Sequence, residues 1–131
     1  SKEHIGKVAY INEDMDYTFG GFMSVVRCKD VLLPRFMFHI LTGGLFTQHL
    51  EREIKSSTIN NINNQVMQSL SIPVPPLPVQ EEIVRILDNF AELQAELQAE
   101  LQAELQKRLQ QYNYYRDKLL SFNDLNGGGM P

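Results

Sequence analysis

The side chains that most often carry chemistry are few and scattered in this sequence. Its histidines, His4, His39 and His49, lie far apart, and the single cysteine, Cys28, leaves no cysteine pair for a disulfide or a multi-cysteine metal site. No pair of carboxylates, Cys/His cluster or glycine-rich phosphate loop stands out. We therefore expect no enzyme, no metal site and no cofactor.

A polar stretch at residues 55–65 is better suited to binding, because it holds four asparagines together with lysine, serine and threonine. Asparagine can hydrogen-bond the edge of adenine, whereas serine, threonine and lysine suit phosphates. The competing interpretations are an ordinary polar loop and, for the basic residues elsewhere, simple surface charge. The candidate DNA contacts are Lys7, Arg27, Lys55, Ser56, Thr58, Asn60, Asn61 and Asn63.

The charge balance gives this hypothesis little help. The formal net charge is −4, and residues 1–72 hold seven basic and seven acidic side chains, so the deficit lies after them. A free-standing nucleic-acid binder usually carries a basic excess. No apolar stretch approaches the ~20 residues of a membrane span, and we expect a cytoplasmic location.

The first half of the chain predicts a mixture of short elements. Residues 4–11 and 19–28 are rich in β-forming side chains and predict two strands. Pro34 suits the first turn of a helix that Gly43-Gly44 ends, and residues 45–55 predict a second helix. With the long helix described next, the pattern predicts an α+β fold.

The character of the sequence changes after a proline-rich stretch at residues 73–78. Residues 79–122 contain no glycine or proline and are dominated by strong helix formers. A continuous helix there would be roughly 60 Å long. Within it, the unit Ala-Glu-Leu-Gln occurs four times in succession from Ala91.

The apolar residues of this helix form a stripe that stays within roughly 160° and averages close to 3.5 residues per step, as in a coiled coil. A domain of about 70 residues cannot cover so long a stripe. A second helix must do so, from another chain or from a part of the same chain that is missing here. The predicted helix-pairing residues are Ile83, Phe90, Leu93, Leu97, Leu101, Leu105, Leu109, Tyr112 and Leu119.

The repeats also carry a ladder of glutamates, which fits a solvated acidic face, docking onto a basic partner or mimicry of DNA phosphates. Each repeat lengthens a helix by about 6 Å, close to two base-pair steps of DNA. The array can therefore work as a length adjuster between whatever lies at its two ends. Gln80, Glu81 and Arg85, at the start of the helix, fit either helix initiation or a subunit contact.

Three segments of the sequence resemble the specificity subunits of type I restriction-modification enzymes. Residues 72–88 read IPVPPLPVQEEIVRILD and are similar to the family's junction between a recognition domain and a conserved helix. The four-residue array is similar to spacer-helix repeats of some members. Residues 111–122 read QYNYYRDKLLSF and resemble the family's helix end. Weaker support comes from residues 4–8 and from Gly20-Gly21-Phe22.

This resemblance implies a non-catalytic subunit that reads one part of a split DNA target and scaffolds methyltransferase subunits, with restriction subunits as further candidate partners. It implies a partial target-recognition domain at residues 1–77, a spacer helix at 78–123 forming an antiparallel coiled coil, and a tail at 124–131. A homodimer through the helix would place two recognition domains about a two-fold axis. The alternative is an assembly module of the same descent that pairs through its helix without binding DNA.

Overall fold

A computed structural model describes residues 5–56 and 62–122, and within these residues the regular structure consists of four helices. The chain divides into two compact units, Ser1–Asp88 and Asn89–Pro131, with the boundary inside the last helix. The domain bounds drawn from the sequence stay a prediction. In chain order the helices are α1 (Pro34–Thr42), α2 (Gly44–Ser56), α3 (Asn64–Gln68) and α4 (Leu77–Ser121).

The two predicted strands are not found, and the α+β prediction was wrong. Within the described residues the chain before α1 is irregular, with a turn in which the Met23 N–H donates to the Gly20 carbonyl at 3.1 Å. β-forming side chains make a strand only where a neighbouring segment pairs their backbone groups. No segment in the described part of the chain does this for residues 5–11 or 19–28, and His4 lies outside it.

Helix α1 follows the predicted local rules. Pro34 occupies its first turn, where the missing N–H costs nothing. Phe36, Met37 and Leu41 are buried. The helix ends at Thr42, and the N–H of its C-cap residue Gly43 donates to the Ile40 carbonyl at 3.1 Å. Gly44, predicted to help end this helix, instead begins α2.

Helix α2 supplies the other side of a small core. Its buried residues Phe46, His49 and Leu50 are spaced by three and one, so they share one face. The core cluster consists of Met37, Leu41, Phe46, Leu50 and Val66, with half-buried residues including Cys28 packed around it. Burial raises the pKa of the Cys28 thiol.

A buried histidine and a helix cap join α3 to this core. His49 Nε2 lies 2.9 Å from the Val66 carbonyl oxygen and 3.2 Å from Ser69 Oγ. Asn63 caps the helix, since its Oδ1 accepts the Val66 N–H at 2.9 Å. The polar ring of His49 is therefore satisfied although only 6% of the residue is exposed.

The long helix predicted after the prolines is present. Helix α4 has 45 residues, which corresponds to about 68 Å. It starts two residues before the predicted position, because Leu77 and Pro78 are already helical and the Val79 N–H donates to the Pro76 carbonyl at 2.9 Å. Among the described helices, none is long and apolar enough to cross a bilayer.

Candidate helix-pairing face and its anchorage

The predicted helix-pairing residues are largely exposed along α4. From residue 90 onward each has more than half of its surface accessible, from 56% for Leu97 to 68% for Leu119. Ile83, which belongs to the first unit, is instead half-buried. We call the exposed set the apolar stripe: Phe90, Leu93, Leu97, Leu101, Leu105, Leu109, Tyr112 and Leu119.

Polar side chains flank the stripe and form contacts along the helix itself. Glu104 accepts a hydrogen bond from Arg108 Nε at 3.1 Å, one turn further on. At the C-terminal end, the Arg116 guanidinium lies 5.8 Å from the centre of the Tyr112 ring. These exposed contacts support helicity by a few tenths of a kcal/mol each. They leave the apolar stripe uncovered.

The start of α4 is held by a buried amide. Gln80 is fully buried, at 0% exposure, and its Oε1 accepts the Leu33 N–H at 2.8 Å. Its Nε2 donates to the carbonyl oxygens of Val31 at 2.8 Å and of Pro75 at 2.7 Å. One side chain thus satisfies three backbone groups from the turn before α1 and from the proline-rich segment. We call this contact the Gln80 anchor.

A second polar contact, the Asp88 anchor, lies two turns further along α4. Asp88 Oδ1 accepts hydrogen bonds from Arg35 Nε at 3.0 Å and lies 2.7 Å from His39 Nε2. The Arg35 guanidinium in turn lies 4.9 Å from the Tyr10 ring centre and 4.7 Å from that of Phe38. Contact with two ring faces restrains the guanidinium and leaves it aimed at the carboxylate.

The electrostatics of the Asp88 anchor favour the ionised acid. The hydrogen bond from Arg35 lowers the pKa of the Asp88 carboxyl most, burial opposes this, and His39 lowers the pKa further. Arg35 and His39 lie one turn apart on α1, so both reach the same oxygen. The anchor therefore joins α1 to α4 through a charge-assisted contact.

The candidate DNA contacts are only partly described. Lys7, Arg27 and Lys55 are exposed, whereas Asn63 uses its side-chain oxygen to cap α3. Ser56 ends α2, and nothing is described of its side chain. Thr58, Asn60 and Asn61 lie outside the described residues. The DNA contacts of the set as a whole stay a prediction.

A metal site finds no support in the part of the chain that is described. No three histidine, cysteine, aspartate or glutamate side chains there gather as a metal ion would require. The polar groups with the strongest geometric definition are those of the two anchors. The sequence predicts only helix initiation or a subunit contact for Gln80, and it predicts no role for Asp88.

Comparison with known proteins settles the family. The family described as "Type I restriction modification DNA specificity domain" matches residues 1–107, which is most of the chain. This chain belongs to the type I DNA specificity domain family. Both anchors and the first four leucines of the apolar stripe lie within the matched residues.

Individual relatives of the specificity domain family agree with this assignment. A Haemophilus influenzae protein named as a type I restriction enzyme specificity subunit is 39% identical over 130 residues, covering 92% of this chain and 33% of its own length. The EcoKI specificity subunit of Escherichia coli is 30% identical over 88 residues, covering 67% of this chain and 19% of its own length. The EcoprrI subunit, also from Escherichia coli, is 64% identical over 52 residues, covering 40% and 13%.

This specificity-family chain spans about a third or less of the length of these relatives. No solved structure matches it. The signal that could have revealed the anchors lies in the junction that resembles the family, because Gln80 and Asp88 both stand in residues 72–88. Pro75 is five residues from Gln80, but the other partners are 47 to 53 residues away along the chain, so no local pattern pointed to the anchors.

Proposed function

We propose that this chain is part of a DNA sequence-specificity subunit of a type I restriction-modification enzyme. In this proposal residues 1–77 contribute to the recognition of one part of a split target, and residues 78–123 form a spacer helix that scaffolds methyltransferase subunits. Catalysis belongs to those partners. The family assignment and the names of the relatives support the proposal. The cytoplasmic location stays a prediction.

The observation that carries the proposal is the exposure of the apolar stripe. Eight large apolar side chains on one helix, each more than half exposed, form a surface that a stable helix normally buries. Burying one leucine contributes about 1.5–3 kcal/mol, so the stripe can offset an association cost of several kcal/mol. The occupant we propose is the same helix of a second copy, running antiparallel.

Such pairing would turn α4 into a ruler. A helix rises about 1.5 Å per residue, so each four-residue repeat adds about 6 Å to the distance between its ends. Two recognition domains at opposite ends of an antiparallel pair would read two half-sites of one target. The number of repeats would then set the number of base pairs between the half-sites.

The DNA-reading role rests on the polar candidates of the first unit. In this proposal Lys7, Arg27, Lys55 and Ser56 contact phosphates. Phosphate contacts of this kind position a protein without reading sequence. The predicted base and backbone contacts of the polar loop are Thr58, Asn60, Asn61 and Asn63. Asparagine can pair with adenine in the major groove and so read sequence.

The test begins with self-association measured by sedimentation equilibrium on the full chain. We expect twice the monomer mass for the parent. Leu101→Glu should raise the Kd for self-association at least about 100-fold, because it removes an apolar contact and places a carboxylate in the seam. The matched control is Ala99→Glu, which adds the same charge about 160° away around the helix and should leave the Kd within about threefold.

A salt-dependent titration with duplex DNA completes the test. Sequence-specific reading predicts an affinity that survives competitor DNA, with a slope that reports the phosphate contacts. A paired chain that binds no duplex even at low salt would leave only an assembly module. A parent chain that is monomeric would contradict the proposed pairing through α4, on which the proposal depends.

A further inference from the structure

The first three turns of α4 are attached to α1 and its preceding turn more firmly than a helix start requires. A capping side chain at a helix start accepts one of the backbone N–H groups that have no partner within the helix. Here two side chains of α4 reach outward instead, Gln80 to the segments at Val31, Leu33 and Pro75, and Asp88 to α1. Both anchors lie within the compact unit Ser1–Asp88.

The Gln80 anchor accepts almost no substitute. Its oxygen faces a donor and its nitrogen faces two acceptors, so only a primary amide of this length matches the site. A glutamate would set a carboxylate against two carbonyl oxygens, and a methionine would leave all three backbone groups unpaired. These three hydrogen bonds are directional, so they fix the position of the Gln80 side chain, which burial alone would not do.

The Asp88 anchor fixes a second point on the same helix. Its carboxylate oxygen is held by two side chains of α1, Arg35 and His39, at 2.7–3.0 Å. Arg35 is itself held over two rings. The donors therefore have little freedom to follow the carboxylate if the helix shifts.

Two such points define the helix where one would not. Gln80 and Asp88 are eight residues apart, which is about 12 Å along the axis and about 80° around it. A single contact allows the helix to rotate about it, but contacts at two heights and two azimuths exclude both rotation and sliding. A shift of one residue would turn the helix by about 100° and bring Glu81 and Asn89 to the anchor positions, where neither reproduces the bonds.

We propose that Gln80 and Asp88 are positioning residues that fix the rotational phase and axial place of the first turns of α4 against α1, and that they thereby restrict the protein to one DNA spacer length. The second part rests on the proposed function. Helix length alone sets a distance, whereas selectivity for a spacer also needs a fixed phase, because DNA half-sites rotate about the duplex axis as they separate.

The phase of α4 can be measured without DNA. A nitroxide on Thr42→Cys, in a Cys28→Ser background, broadens amide signals of residues 79–88 according to their distance from α1. In the parent, the broadening should follow the helical period. In Asp88→Ala and Gln80→Glu it should become nearly uniform over the turn, while circular dichroism keeps the parent's helix content.

The matched control is Glu82→Gln. It removes a salt bridge whose partner, Arg85, is on the same helix at 2.6 Å, and it touches no residue of α1. Its broadening pattern should equal that of the parent. If Gln80→Glu does not fold, Asp88→Ala decides the question, because its side chain is 38% exposed and its loss leaves no buried void.

Spacer selectivity is measured on duplexes that the full chain retains from a random-sequence library. The parent should enrich one spacer between two half-site motifs at least about tenfold over its neighbours, and Asp88→Ala should reduce this to less than about threefold with the half-site motifs unchanged. An unchanged spacer profile, or a periodic broadening pattern in both variants, overturns the inference. A parent that retains no duplex overturns the proposed function and the spacer part with it, while the amide signals still decide the positioning part.

Discussion

Two stretches of α4 differ in which side chains they bury and which they expose. In residues 77–88 a glutamine is fully buried and an aspartate is held by two partners. From residue 89 onward leucines of the repeats are more than half exposed. On this helix, therefore, residue type alone does not distinguish buried from exposed positions. The polar anchors make contacts within the chain's own fold, whereas the apolar stripe is exposed.

The largest loss of stability should follow from replacing the buried glutamine of the first stretch, Gln80, by methionine. Gln80→Met keeps the volume but leaves the Leu33 N–H and the Val31 and Pro75 carbonyls without their partner. Each unpaired buried group costs about 1–3 kcal/mol, so we expect a loss of at least about 3 kcal/mol in the free energy of unfolding. Urea titration followed on the amide signals of α1 and α2 measures it.

Gln106→Met is the matched control in the second stretch. Gln106 is exposed and lies off the apolar stripe, so the same substitution should change the free energy of unfolding by less than about 0.5 kcal/mol. Equal effects at the two positions would contradict the expected difference between the two stretches, since the burial of Gln80 would then have no energetic consequence.

An intermediate effect is expected at Asn63, where a predicted DNA contact serves the fold. Asn63→Ala removes the cap of α3 and should cost about 1 kcal/mol. Asn63→Asp keeps the capping oxygen, so the free energy of unfolding should stay within about 0.5 kcal/mol of the parent. Aspartate lacks the amide donor that pairs with adenine.

The two Asn63 variants therefore separate the fold from the reading of DNA. If Asn63 contacts a base, Asn63→Asp should weaken specific binding about tenfold or more at unchanged stability. If the affinity for duplex DNA is unchanged, the Asn63 side chain serves only to cap α3 and makes no base contact.

Local rules account for the parts of the fold that the sequence predicted. The absence of glycine and proline in residues 79–122 predicted α4, and Pro34 and Gly43 predicted the bounds of α1. The strands failed because a strand depends on a pairing partner and not on its own residues. The anchors were missed for a similar reason. Gln80 and Asp88 look like ordinary polar residues of a helix start, and it is mainly their contacts with residues 47 to 53 positions away that give them their role.

The smallest change in the free energy of unfolding should come from protonating Asp88. The pKa of Asp88 is lowered from its ordinary value, mainly by Arg35, so the ionised carboxylate stabilises the folded chain. This contribution is present above the carboxyl's unfolded pKa and is lost as the pH falls through the lower folded pKa. Because Arg35 and Asp88 are each about a third exposed, solvent screening keeps the contribution below about 1 kcal/mol.

Asp88→Asn isolates that contribution, since it keeps the shape of the side chain and removes the charge. The difference in free energy of unfolding between parent and variant should be constant at neutral pH and shrink toward zero below the ordinary aspartate value of about 3.9. Glu82→Gln gives the contrasting case, because its exposed pair with Arg85 lies within one helix and joins no other element. A difference for Asp88 that does not change with pH would mean that the shape of the carboxylate, and not its charge, joins α4 to α1.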